Sequence, residues 1–470
     1  MSARAAPSAL ARNASRILPL AWPIFIGQLS VLAFATVDTL LVARHSAEDL
    51  AALAVGSAAY VTVFVGFMGI VLALSPIVGQ LFGSGQLKQA GRQLHQAVWV
   101  ALGLSLLGSL LLSFPGPILA LAQLGVEVDT KVRSYLMALA LSLPASLLFT
   151  VYRGFNTAVS RPKAVMVLQL CGLALKIPLS WALVTGVPAL GLPPLGVLGC
   201  GISTCVVMWL QAGLAAAQLW RDPYYQRFEL HGRRLDRPDF KALREHLRLG
   251  LPMGLAILVE VTAFAFMAIF IARLGTTSVA AHQLVANLVS ILFMAPLALG
   301  SAISTLVAQS LGADQPEEAR QLGWHGLGIG TALAMLMGAV VFALREPVLR
   351  LYTADPVVLA IALSLLAWMV VFHVFDAVQT IAAFVLRAHK VAVVPVLVYV
   401  AALWGVGLLG GCALAFAWLP GVPQHLLGAP GFWAASTLGL VLASLGLCAF
   451  LFWLGRAQGK ALRAALPAAR

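Results

Sequence analysis

Twelve long apolar blocks constrain the fold of this 470-residue sequence more than any other feature. Most of them reach the roughly 20 residues that an α-helix needs to cross a bilayer. The chain is 61% hydrophobic and only 10% charged, whereas soluble domains carry about 25% charged residues. The sequence therefore predicts an all-α polytopic membrane protein. The predicted spans cover residues 17–43, 54–82, 96–121, 131–154, 163–187, 195–220, 248–273, 283–311, 323–344, 357–386, 392–418 and 430–455.

Positive charge is distributed unevenly between the predicted connections. Twelve spans place both termini on one side of the membrane, and that side receives most of the 30 Lys and Arg residues. Cytoplasmic loops carry such an excess, so we expect both termini to be cytoplasmic. Loops facing anionic lipid also explain the net charge of +13, and nucleic acid is not an expected partner.

The sequence repeats itself at an offset of 229 residues. The segment "VARHSAEDLAALAVG" (42–56) aligns with "IARLGTTSVAAHQLV" (271–285), and Pro23 aligns with Pro252. Apolar composition alone would not keep Pro, Arg, Gln and Gly in phase. Each half holds six spans, so the repeats are parallel, as in transporters that work by alternating access. We expect two pseudo-symmetric six-helix bundles, over 1–220 and 248–470, joined by a basic cytoplasmic linker over 221–247.

Three acids and one lysine lie well inside the predicted spans, namely Asp38, Glu260, Asp376 and Lys176. A charge at the centre of a membrane helix costs at least about 2.5–3.5 kcal/mol on insertion scales. Any of the acids could form a buried ion pair that holds two helices together, but Lys176 can neutralise at most one of them. The others are then expected to take up protons or to bind a hard cation such as sodium with further oxygen ligands.

Polar residues recur at helical spacing beside these charges. Such a stripe either holds helices together or, with an ionisable residue at its centre, lines a cavity, which makes Lys176 and Gln379 candidate substrate-cavity residues. His373 either relays protons or is a hydrogen-bonded core histidine. The stripes contain Gln169, Gly172, Lys176 and Ser180 in span 5, Phe372, Asp376 and Gln379 in span 10, and Gln283 and Asn287 in span 8.

Segments of both halves resemble the multidrug and toxic compound extrusion (MATE) family, most closely its NorM-like bacterial branch. In the first half these are "LPLAWPIFIGQLSVLAFATVDTLLVAR", "DLAALAVG" and "ALSPIVGQLFGSG". In the second half they are "LGLPMGLAILVEVTAFAFMAIFIARLG", "VAAHQLVANLVS", "ALGSAISTLVAQSLGA" and "VFDAVQTIAAFVLRA". The similarity covers nearly the whole chain.

This resemblance implies two six-helix bundles that export organic cations in exchange for protons or sodium. By position in the motifs, Asp38 resembles the N-half acid, whereas Glu260 and Asp376 resemble the acids of a C-half cation site. All three are candidate coupling residues, and no cofactor or other metal is expected. The resemblance also places Gln283 near the substrate cavity. Asn287 lies one turn further along span 8 and is a second candidate for this cavity.

Two residues depart from the family's pattern. Sodium-coupled relatives have a Tyr one turn before the span-10 acid, whereas this chain has Phe372, which offers no oxygen ligand. In span 5 the family commonly has an Asn before "IPL", whereas this chain reads "LKIPLSW" with Lys176. A fixed ammonium near Asp38 would replace a bound cation. Both departures favour proton coupling, or a C-half sodium site with different ligands.

Other functions fit the sequence less well. The alternative within the same superfold is a flippase for lipid-linked oligosaccharides, which would line its cleft with several basic residues to hold pyrophosphate. This chain has only one lysine but three acids well inside its predicted spans. No HExxH motif and no GxSxG motif near a buried His is present, so an enzyme is not expected. The five cysteines lie in apolar segments without metal spacing. The expected partners are small organic cations and the lipid bilayer, with the chain acting as a monomer.

Overall fold

The computed structural model describes residues 8–116, 119, 125–230, 235–418 and 420–465. The predicted end of span 3, residues 231–234 of the predicted linker and both ends of the chain lie outside the described residues. Within the described ranges the chain is mostly helical, with a single β-bridge between Val187 and Leu192. The predicted all-α fold is confirmed.

Within the described residues, twelve helices are long and apolar enough to cross a membrane, which confirms the predicted number of spans. They contain 23 to 37 residues, so even the shortest exceeds the roughly 20 residues that a helix needs to cross a hydrocarbon core. The spans, numbered in chain order, are Ala9–Ala43, Ala47–Gly83, Leu87–Ser113, Val126–Ala158, Pro162–Thr185, Val197–Arg221, Phe240–Ala272, Thr276–Gly312, Pro316–Ala343, Pro356–Ala388, Val393–Ala415 and Ala429–Gln458.

Large apolar side chains are exposed along the spans. Leu106 in span 3 and Leu141 in span 4 are 66% and 62% exposed, and Trp22 in span 1 is 63% exposed. Monomeric soluble proteins rarely expose large contiguous apolar patches, whereas lipid tails solvate such surface. These faces are therefore suited to contact lipid.

The chain packs into two compact units whose boundaries fall inside spans 1 and 7. The N-terminal unit is Ile26–Gly254, and the C-terminal unit contains the described residues up to Phe25 together with those from Leu255 onward. The start of span 1 joins the C-terminal unit because Ile17 and Ala21 are buried in its core. The start of span 7 joins the N-terminal unit, where the His246 ring lies 3.1 Å from the carbonyl oxygen of Ile70. The two packing units therefore do not coincide with the two sequence halves. The first part of span 1 belongs to the C-terminal unit, and the first part of span 7 belongs to the N-terminal unit.

Two spans are interrupted. Span 2 consists of the helices Ala47–Val71 and Leu74–Gly83. Span 11 begins as the helix Val393–Tyr399, continues as a π-helical stretch over Val400–Leu409 and ends as the helix Gly410–Ala415. Stretches of π-helix are rare and frequently occur at functional sites. Outside the spans lie the helix Arg345–Tyr352 and the 3₁₀ turns Pro188–Leu190, Pro223–Phe228 and Gln424–Leu426.

The described part of the predicted linker is attached to the N-terminal unit. Gln96 of span 3 donates through Nε2 to the carbonyl oxygen of Arg237 at 3.0 Å, and Trp99 donates to that of Asp236 at 2.9 Å. Helix resumes at Phe240, so residues 240–247 at the end of the predicted linker belong to the helix of span 7. These contacts hold the described linker residues against span 3.

Asp222 fixes the start of this connection. Its carboxylate accepts from the Tyr224 amide at 2.9 Å and from Arg161 Nη1 at 2.7 Å, and the Arg161 guanidinium stacks 4.2 Å from the Tyr224 ring centre. Burial opposes ionisation, but the Tyr224 amide and Arg161 outweigh it and hold the pKa of Asp222 below its usual range. The stabilisation from this depressed pKa is therefore present at neutral pH and is lost as the pH falls through the folded-state value.

The start of span 7 packs closely against the backbone of span 2, and a glycine substitution can test this packing. A Cβ atom at Gly254 would lie 2.5 Å from the carbonyl oxygen of Gly66 in span 2. We expect Gly254→Ala to lower the free energy of unfolding by about 1–3 kcal/mol, the usual cost of overpacking. Gly213→Ala is the control because nothing lies within 4 Å of a Cβ there. Thermal unfolding in detergent measures both variants, and equal stability would contradict the packing described.

Candidate functional site

The N-terminal unit buries an acid and a lysine against each other. Asp38 from span 1 is 8% exposed, and Lys176 from span 5 has no exposed surface. The Lys176 Nζ atom lies 2.9 Å from Asp38 Oδ1. Removing one partner of a buried pair leaves an uncompensated charge and typically costs about 3–5 kcal/mol. Of the three intramembrane acids, Lys176 thus neutralises Asp38.

Oxygen atoms from span 6 complete the surroundings of the ammonium. It donates to Thr204 Oγ1 at 2.6 Å, to Ser203 Oγ at 2.9 Å and to the carbonyl oxygen of Cys200 at 3.2 Å. Ser180, a member of the predicted span-5 stripe, lies 3.2 Å from the carboxylate and 2.7 Å from Ser203 Oγ, so its hydroxyl links the acid to span 6. An ammonium has three hydrogens, so these acceptors and the carboxylate satisfy it fully. The contribution of span 6 was not predicted, although its adjacent hydroxyl residues, Ser203 and Thr204, are visible in the sequence.

The C-terminal unit brings the other two acids together through one amide. Gln379 Nε2 donates to Glu260 Oε1 at 2.8 Å and to Asp376 Oδ1 at 3.0 Å. Asp376 and Gln379 are buried, and Glu260 is half-buried. Among the described residues, no Lys, Arg or His nitrogen lies within 4.0 Å of either carboxylate. The two acids expected to share a site therefore share a hydrogen-bond donor, without a direct ion pair.

Two further oxygen-bearing side chains, which the sequence analysis did not single out, belong to this cluster. Thr380 Oγ1 lies 3.0 Å from Gln379 Nε2. The Tyr399 hydroxyl donates to Gln379 Oε1. Tyr399 is buried at the end of the first helix of span 11, immediately before the π-helical stretch. Its phenol enters the cluster from a different span than the Tyr of the family pattern.

Phe372 packs in an aromatic cluster one turn before Asp376. Its ring centre lies 5.4 Å from that of Trp433 and 6.2 Å from that of Phe264. His282 joins the same cluster, 5.7 Å from Phe264. Phe372 thus belongs to an aromatic cluster one turn from Asp376, and the phenol hydroxyl that reaches Gln379 comes from Tyr399.

Arg387 corrects the charge count made from the sequence. The predicted span 357–386 ends one residue before Arg387 and leaves it in a cytoplasmic connection, but in the structure it lies inside span 10 and is only 7% exposed. Its guanidinium stacks 4.8 Å from the Phe384 ring centre and is close enough to Glu260 for a Coulombic interaction. Lys176 is therefore not the only buried base, although Arg387 makes no direct contact with either acid of the C-terminal unit.

The remaining candidate residues differ in exposure. Gln283 and Asn287 are both exposed, one turn apart on span 8, whereas Lys176 and Gln379 are fully buried. Their assignment to a substrate cavity stays a prediction. His373 is fully buried, and neither ring nitrogen has a hydrogen-bond partner, so its interpretation as a hydrogen-bonded core histidine was wrong.

The C-terminal cluster has the chemistry to hold a proton or a hard cation. It combines two carboxylates with amide, hydroxyl and phenol oxygens, the ligand types that hard cations prefer. Within the described ranges no group of three or more His, Cys, Asp or Glu side chains could hold a metal ion.

Twelve spans packed as two units, each with acids buried among polar side chains, define a polytopic membrane protein of the secondary-transporter class. The MatE family model matches residues 23–182 and 252–412. These two matches begin 229 residues apart, at the offset of the internal repeat. The chain belongs to the multidrug and toxic compound extrusion (MATE) family.

Named relatives and solved structures agree with this assignment. A relative named "Probable multidrug resistance protein NorM" from Aromatoleum aromaticum is 41% identical and covers 94% of each chain. One of the same name from Chromobacterium violaceum is 35% identical over 98% of this chain and 97% of its own. The eukaryotic MATE transporter AtDTX14 superposes with a TM-score of 0.84 at 21% identity, covering 94% of this chain and 96% of its own. This last likeness concerns the fold alone.

The hydrogen bond from Tyr399 to Gln379 leads to a prediction. Tyr399→Phe removes the group that fixes the orientation of the Gln379 amide, and we expect transport to fall about fivefold, for a loss near 1 kcal/mol. Tyr60→Phe is the matched control, since that phenol donates to Ser146 Oγ at 3.2 Å in the N-terminal unit. Efflux is measured with both variants at equal protein density in vesicles. An equal effect of both substitutions on transport would contradict a specific role for Tyr399.

Proposed function

We propose that this chain is a multidrug efflux antiporter that exports small organic cations in exchange for protons, with sodium as the alternative coupling ion. It acts as a monomer in a bacterial inner membrane, with both termini in the cytoplasm. The names of its relatives support export of drugs, since they include the "Multidrug resistance protein PmpM" of Pseudomonas aeruginosa at 34% identity. The excess of positive charge on one set of connections supports the orientation.

The observation that carries the coupling proposal is the Glu260–Gln379–Asp376 cluster. Two carboxylates share one amide donor in a low-dielectric environment, and no basic nitrogen contacts them among the described residues. Burying an unpaired carboxylate is costly, so uptake of a proton or cation stabilises the site. That dependence on ion occupancy is what an antiporter requires.

Proton coupling is favoured over sodium coupling by the position of Gln379. Its Nε2 atom occupies the place between the two carboxylates that a sodium ion would need, and Phe372 supplies no replacement oxygen. Protonation of one carboxylate requires no such vacancy. In the mechanism, substrate binds from the cytoplasmic side by alternating access and leaves when the acid pair takes up a proton from outside.

A flippase for lipid-linked oligosaccharides is supported less well. Such a function needs cationic groups available to bind pyrophosphate. Lys176 has no exposed surface and directs its ammonium at oxygen atoms of its own unit. The exposed polar pair Gln283 and Asn287 is uncharged, which suits an organic cation better than a pyrophosphate.

The direct test is efflux of a fluorescent organic cation from vesicles under an imposed ion gradient. An inward proton gradient is expected to drive efflux, and an inward sodium gradient at constant pH is expected to have little effect. Efflux driven by the sodium gradient alone would identify sodium as the coupling ion in place of protons. Absence of efflux under either gradient, with correctly inserted protein, would contradict the proposed function.

Substitution of one acid tests the assignment of the coupling site. We expect Asp376→Asn to reduce gradient-driven efflux to the level of protein-free vesicles, because the pair loses its ability to exchange an ion. Asp129→Asn is the matched control, since that carboxylate is partly exposed and pairs with Arg133 at 2.6 Å. Full efflux by an inserted Asp376→Asn variant would rule out the assignment.

A further inference from the structure

The oxygen atoms around Lys176 resemble a cation site more than an ordinary ion pair. Four of them, from a carboxylate, two hydroxyls and one main-chain carbonyl, lie 2.6–3.2 Å from the same nitrogen. They come from two spans, since Asp38 belongs to span 1 and Cys200, Ser203 and Thr204 belong to span 6. These distances fit hydrogen bonds from an ammonium, whereas hard metal cations bind oxygen at shorter distances.

The hydroxyl hydrogens of the site are directed away from the ammonium. Thr204 Oγ1 donates to the carbonyl oxygen of Cys200 at 2.8 Å, and Ser203 Oγ lies 2.9 Å from the same oxygen. Ser180 Oγ lies 3.2 Å from Asp38 Oδ1 and 2.7 Å from Ser203 Oγ, and one of the two serine hydroxyls donates to the other. In either arrangement the single hydrogens of Ser203 and Thr204 are used away from the ammonium, and each oxygen keeps a lone pair that can face a positive charge. The local hydrogen-bond pattern prepares this position for a cation even before the lysine is considered.

We propose that Lys176 is a tethered cation that permanently occupies a cation site in the N-terminal unit. Its side chain reaches the site from span 5 and supplies the one positive charge that the Asp38 carboxylate requires. The site then exchanges no ion from solution. The further consequence, which rests on the proposed function, is that coupling uses the Glu260–Asp376 pair alone.

This proposal predicts that removal of the ammonium creates a site for sodium. Lys176→Met keeps the apolar stem of the side chain and deletes the charge, which leaves the Asp38 carboxylate, the two hydroxyls and the carbonyl without a cation. The variant is made in an Asp376→Asn parent, so that the C-terminal acid pair does not contribute. Binding of radioactive sodium to the purified protein is measured at constant ionic strength, with choline as the replacement ion.

The parent is expected to bind no sodium, and Lys176→Met is expected to bind about one ion per chain, with an increase of a few degrees in the unfolding temperature at saturating sodium. Adding Asp38→Asn should abolish both effects. Lys131→Met is the matched control, because Lys131 also pairs with a buried acid, Asp49, at 3.2 Å, but is partly exposed.

Two outcomes would overturn the proposal. A folded Lys176→Met variant that binds no more sodium than its parent would show that the oxygen atoms do not form a cation site. Sodium binding by the parent itself that disappears on Asp38→Asn would show that the N-terminal site exchanges ions with Lys176 present, and this measurement remains decisive if Lys176→Met does not fold. Both measurements use sodium binding and not transport, so failure of the proposed efflux function is distinguishable from failure of this inference.

Discussion

The cost of burying a carboxylate in an apolar helix bundle determines the arrangement of polar groups in this protein. In the N-terminal unit the cost is offset by a complete ion pair, since Lys176 contacts Asp38 and three other oxygen atoms. In the C-terminal unit it is offset only in part, because Glu260 and Asp376 receive hydrogen bonds from the same Gln379 amide. One chain thus contains a satisfied acid and an unsatisfied pair of acids.

This asymmetry arises within a duplicated sequence. The two family matches begin at the same offset as the internal repeat, so the halves share a helical plan. Their buried charges nevertheless follow different designs, with a base in span 5 of the first half and an amide-bridged acid pair from spans 7 and 10 of the second. Duplication preserved the helices, whose lengths the bilayer dictates, while the intramembrane polar groups diverged.

The spans and the repeat could be predicted from the sequence because the bilayer imposes a length and an apolar composition that are visible residue by residue. The partners of the buried charges could not be assigned in this way. Asp38 and Lys176 lie on different spans, far apart in sequence, and one lysine was compatible with any of three acids. Tyr399 was missed because it lies on span 11, whose predicted range 392–418 contains no charged side chain to mark it, and only packing brings its phenol to Gln379 of span 10. Arg387 was assigned to a loop because it lies at the end of an apolar block, yet packing buries it.

Gln379 links the unsatisfied acid pair to the rest of its unit. Its Nε2 atom has two hydrogens and three oxygen neighbours, on Glu260, Asp376 and Thr380. Its Oε1 atom accepts from Tyr399, which holds the amide in the orientation that directs the NH₂ group at the acids. Two ionised carboxylates therefore compete for one donor, and protonating either of them adds a donor to the cluster and removes one negative charge. The ion occupancy of the site and the hydrogen bonds between spans 7, 10 and 11 are thereby coupled. Uptake or release of an ion by the acid pair therefore changes the hydrogen bonds that join these three helices.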